Sequence, residues 1–88
     1  MDWDYITFRS VTLAQRGERV LKQGGVGCVL LRTPRRMEAK GCGYCLRLRR
    51  RDMEVGLSLL EAQRVPYSRL YAANADGSVE EVRRDLFG

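Results

Sequence analysis

Twice along the chain a short β-prone run leads into an amphipathic helical stretch and then a second β-prone run, and few small folds accommodate that pattern in 88 residues. Tyr5-Ile6-Thr7-Phe8 is aromatic and β-branched, with Ile6 and Phe8 on one face and Tyr5 and Thr7 on the other. Ser10 offers an N-cap, and Leu13, Ala14, Gly17, Val20 and Leu21 recur at helical spacing until Gly24-Gly25 ends the helix. Val26 to Leu31 reads as a second strand, stopped by Thr33-Pro34 because proline cannot extend a ladder. Arg35 to Gly43 is charged and aperiodic, a loop. Tyr44 to Arg49 alternates, with Tyr44, Leu46 and Leu48 facing inward and Cys45, Arg47 and Arg49 facing solvent. Asp52 is the expected N-cap of a second helix whose buried stripe is Met53, Gly56, Leu57 and Leu60. Pro66 precedes a fourth strand, Tyr67 to Ala72, with Leu70 and Ala72 inward and Tyr67, Arg69 and Tyr71 outward. Asn74 to Ser78 is a turn, and Val79 to Phe87 reads as a short helix or a frayed tail.

The β-α-β-β-α-β order predicts an α+β, ferredoxin-like two-layer sandwich: a four-stranded antiparallel sheet with two helices on one face. A single domain spanning 1–88 is expected, with its core at 4–73 and a C-terminal extension at 74–88. The opposite sheet face is expected to be open and to carry Tyr5, Cys45, Arg47, Arg49, Tyr67, Arg69 and Tyr71. A chain this short buries roughly 60–65% of its surface, which argues against a deep enclosed active site. No apolar run approaches the roughly 18–20 residues of a membrane helix, and the acidic start Met1-Asp2-Trp3-Asp4 is unlike a signal peptide. Three cysteines in no regular framework do not suit a secreted disulfide scaffold. A cytoplasmic location is the expectation.

Histidine is absent, which removes Ser-His-Asp and Cys-His catalysis in cis and every histidine metal ligand. The net charge of +5 is lopsided: between residues 32 and 51 eight arginines and lysines face the single acid Glu38, whereas 52–88 holds seven acids and four arginines. In the basic half lies Gly41-Cys42-Gly43-Tyr44-Cys45, a C-x-x-C pair at the start of the third strand. Gly43 lets backbone N–H groups approach the Cys42 sulfur, and Lys40, Arg35 and Arg47 favour its thiolate. Such a thiolate suits a nucleophile that holds and presents sulfur or selenium, with Cys45 placed to resolve the adduct as a disulfide. The plainer reading makes Cys42 a loop residue and Cys45 a small side chain fitted to a strand. Two thiolates are also half a zinc site, but Cys28 lies on another strand and completion needs carboxylates or a second protomer. No metal or resident cofactor is therefore assigned, only transient sulfur or selenium on Cys42. The alternative from another class is a non-catalytic basic module that binds RNA or an acidic protein on the open sheet face, although the third strand lacks the aromatic pattern of RNA-recognition sheets. An edge strand at 26–31 also offers a route to a homodimer.

The sequence resembles a family of short bacterial and archaeal proteins described as putative selenium/sulfur carrier-like. Matching features run over roughly residues 4–72: Tyr5-Ile6-Thr7-Phe8 with Ser10 and Ala14, Thr33-Pro34-Arg35, Cys42-Gly43 followed by Leu46-Arg47, and Tyr67 to Tyr71. The Cys-Gly-x-x-Leu-Arg string is the most specific. The resemblance implies that Cys42 is the carrier cysteine, that Arg47 belongs to its site, and that the partners are sulfur or selenium donor and acceptor proteins. It also implies a relay in place of a stand-alone enzyme. Cys45 lies outside the family pattern, and its role rests on its spacing from Cys42.

Overall fold

Ile6, Phe8, Leu46, Leu48 and Leu70 line one sheet face, and they form one core with Ala14, Leu21, Met53, Leu57 and Leu60 from two helices. This arrangement is seen in a computed structural model, which describes residues 3–34 and 43–87. The chain order is β1 (Trp3–Phe8), α1 (Val11–Gln23), β2 (Val29–Arg32), β3 (Tyr44–Arg49), α2 (Met53–Ala62), β4 (Leu70–Ala73) and β5 (Val79–Val82), with single 3-10 turns at Arg50–Asp52 and Arg84–Phe87. The strands form a five-stranded sheet in the order β2-β3-β1-β4-β5, antiparallel throughout. The molecule is thus an α+β protein with two helices and five strands, one strand more than the sequence pattern predicts.

The extra strand corrects the expectation of a terminal helix or tail. Val79-Glu80-Glu81-Val82 pairs with β4 instead, and a turn closed by the Asn74 N–H on Ser78 O (2.7 Å) joins the two strands. Gly77 sits in that turn at φ 89, a conformation that costs glycine little. β2 and β4 both begin three residues later than the alternation suggests. Val26 is absorbed into the end of α1, where its N–H reaches Leu21 O at 2.8 Å while Gly25, at φ 82, donates to Lys22 O. Its buried side chain is the apolar closure expected of this helix-ending motif. Before β4, Ser68 and Arg69 clip onto Thr7 through four backbone and side-chain bonds of 2.7–3.2 Å, without forming a regular ladder.

Ser10 caps α1 as expected, its Oγ accepting from Leu13 N at 3.2 Å. Asp52 does not cap α2: it lies in the preceding turn with its backbone already helical, and its side chain accepts no capping bond. Helix-to-sheet contact is close because small residues face the strands. A Cβ on Gly17 would lie 3.0 Å from Phe8 Cζ, and one on Gly56 would lie 3.1 Å from Leu48 Cδ1. Truncating Leu57 or Leu60, both fully buried, removes contacts worth about 2–5 kcal/mol. No helix among the described residues is long and apolar enough to cross a membrane.

Candidate functional site

β3 begins where the sequence places its cysteine pair. Cys42, Arg35 and Lys40 lie outside the described residues; Gly43, Cys45 and Arg47 lie within them. Gly43 is held by the Thr33 N–H, which donates to Gly43 O at 3.0 Å. A Cβ at this position would come within 3.3 Å of Phe8 O and 3.6 Å of Thr33 Oγ1. The residue following Cys42 is therefore a close-approach position, clamped between the end of β1 and the end of β2.

Cys45 points to the sheet face opposite the helices, as alternation requires, between Thr7 on β1 and Leu31 on β2. The face is not open there. Cys45 is 0% exposed and Thr7 1%, so the expectation of a solvated Cys45 is corrected. Burial pushes the Cys45 thiol up, while the Thr33 hydroxyl and the Arg47 charge draw it part of the way back. Thr33 Oγ1 lies beside this sulfur without a well-formed hydrogen bond and finds no other partner. Cys28, half-buried against the helix-side core, is also pushed up, first by burial and then by the Glu18 charge. Both described cysteines therefore favour the neutral thiol.

Arg47 lies two residues beyond Cys45 on the same face. Its guanidinium stacks over Trp3, with Cζ 4.5 Å from the ring centroid, and Arg49 joins it at 4.9 Å. Trp3 is opposite Arg49 in the β1–β3 ladder, which brings it beside both arginines. The aromatic platform expected on this face is smaller than predicted. Tyr71 is buried, and Tyr67 packs against the helix-side core with its hydroxyl donating to Glu61 Oε2 at 2.6 Å. Tyr67 turns inward because it precedes β4 and so escapes the strand alternation. Thr33 and Trp3 were not anticipated. Thr33 was legible only as a strand stop and Trp3 only as part of an acidic start; the signal for Trp3 was its parity with Tyr5 and Thr7.

The fold and this site define a small α+β protein with a C-x-x-C pair at the start of an inner strand. The chain belongs to the Putative Se/S carrier protein-like family, whose model matches residues 4–72. No curated protein and no solved structure matches it.

Proposed function

We propose that this protein is a small sulfur or selenium carrier in which Cys42 accepts the atom from a donor protein and passes it to an acceptor. The observation that carries the reading is the family match over 4–72, a span that includes Cys42, Gly43 and Arg47. The two described thiols support it by contrast. Both are pushed up by burial and are poor nucleophiles at neutral pH, which leaves the exchange to Cys42. Arg35, Lys40 and Arg47 supply the positive field that favours its thiolate and attracts acidic partners. On this reading the sheet is a ferredoxin-like core carrying one added edge strand.

The chemistry is thiol exchange. The Cys42 thiolate attacks the outer sulfur of a donor persulfide; a new S–S bond forms, the donor's S–S bond breaks, and the donor leaves as a thiolate. An acceptor thiolate repeats the exchange on the Cys42 persulfide. The carrier is regenerated, so it acts as a relay between proteins. When no acceptor arrives, loss of the sulfur through attack of Cys45 on the Cys42 sulfur, with a disulfide formed and sulfide released, is expected to be slow, because the Cys45 thiol is buried and pushed up. Incubation with a cysteine desulfurase and cysteine is expected to add about 32 Da at Cys42. Cys45→Ser is expected to gain the same mass and hold it longer. If Cys42→Ser takes up as much sulfur as the unaltered protein, the carrier function is refuted.

A further inference from the structure

We propose that a pocket at the far end of the sheet, walled by Trp3, Arg47, Arg49 and Arg51, binds a tetrahedral oxyanion of the phosphate and sulfate class. The pocket measures about 430 Å³ and also takes in Cys28 and Asp52. It lies toward the end of β3, where Arg47 and Arg49 stand roughly 10 and 17 Å beyond Tyr44 at the rise of an antiparallel strand.

The pairing of the arginines argues for an external anion. Arg50, Arg69 and Arg84 each meet a carboxylate within the fold: Asp4, Glu81 and Glu61. Among the described residues Arg47, Arg49 and Arg51 meet none, as is also true of Arg9, Arg16, Arg19, Arg32 and Arg64; what sets these three apart is that they line one pocket. Gathering like charges without a counter-ion is unfavourable, and a bound oxyanion relieves it. Asp52 is the single acid in the wall, and Cys28 stays a neutral thiol, so the lining keeps a net positive charge.

Trp3 determines which anion suits the site. With the Arg47 and Arg49 guanidiniums 4.5 and 4.9 Å from its centroid, the ring already serves to place cations and is not free to stack a base. Arg47 Nε is buried without a hydrogen-bond partner, so stacking holds this head group in place of an acceptor. Planar guanidinium forks fixed in this way match the paired oxygens of a tetrahedral oxyanion. The volume leaves room for a small organic group carrying it.

Trp3 is the only tryptophan, so intrinsic fluorescence reports on this pocket directly. Inorganic phosphate and sulfate are titrated separately into the full chain at constant ionic strength set with chloride, with calorimetry as an independent readout. A saturable response is expected, weakened about tenfold or more in Arg49→Gln and in Arg51→Gln. Both residues are exposed, so the substitutions leave the core intact. A response no larger than that to chloride overturns the proposal, as does unaltered affinity in both variants. A short RNA oligonucleotide that binds at the same ionic strength without competition from phosphate also overturns it, replacing a discrete oxyanion pocket with a polyanion surface.

Discussion

Arg50 closes its guanidinium around the Asp4 carboxylate, Nε donating to both oxygens at 3.3 and 3.2 Å and Nη2 to Oδ1 at 3.1 Å. Nη2 also donates to Ala73 O at 3.2 Å, so one side chain ties the end of β3 to β1 and β4. The pair is asymmetric: the Asp4 side chain is 0% exposed and that of Arg50 43%. Removing Arg50 strands a buried carboxylate, whereas removing the Asp4 charge leaves a guanidinium that water reaches. Arg50→Ala is expected to cost about 3 kcal/mol and Asp4→Asn about 1–2 kcal/mol, measured by urea unfolding. Equal costs would contradict the asymmetry.

Arg64 ends α2 at φ 57, the left-handed region, where Val65 N donates to Leu60 O at 2.9 Å and Arg64 N to Glu61 O at 3.1 Å. A non-glycine residue pays for that conformation, and the Arg64 side chain is exposed. Arg64→Gly is therefore expected to stabilise the protein by up to about 1 kcal/mol. In a domain of this size that raises the thermal midpoint by about 4–8 °C. A fall in the midpoint would show that the arginine contributes more than its backbone conformation costs.

Tyr67 links stability to alkaline pH. Burial, followed by its hydrogen bond to Glu61, pushes its hydroxyl up to about 12 from an ordinary value near 10. A raised value means the folded protein holds the proton more tightly than the unfolded chain. The resulting stability is complete below pH about 10 and is lost as pH climbs toward 12. Glu61 has the opposite sense: the Arg84 guanidinium and then the Tyr67 hydroxyl hold its carboxyl below the ordinary range, so its contribution disappears in acid. Glu61 is exposed, which screens that contribution. Spectrophotometric titration of tyrosinate should show one late component that Tyr67→Phe removes. Retention of that component would assign it to another tyrosine.

Much of the scaffold was legible because alternation and helical spacing act locally. Ser10, the glycine pair after α1 and the inward set Leu46 and Leu48 follow from rules spanning a few residues. β5 was missed because Val79-Glu80-Glu81-Val82 does not alternate cleanly and lies at an edge, where cross-strand pairing decides the structure. The Asp76-Gly77 dipeptide was the available hairpin signal, and the turn was recognised without its returning strand. Candidate site residues could be named from their chemistry, but of these only Gly43, Cys45 and Arg47 lie within the described residues, and their environment was not legible. Alternation assigns Cys45 to a face but does not reveal that the face is covered there. Nor does it reveal that Trp3, by register, gathers Arg47 and Arg49.

The central claim is that Cys42 is the nucleophilic sulfur of this chain, and site-resolved alkylation across pH tests it most directly. With each cysteine followed by mass spectrometry, Cys42 is expected to react first, with a midpoint below the ordinary thiol value of about 8.5. Cys28 and Cys45, both pushed up by burial, are expected to follow at higher pH. A Cys42 midpoint equal to or above theirs would contradict the account.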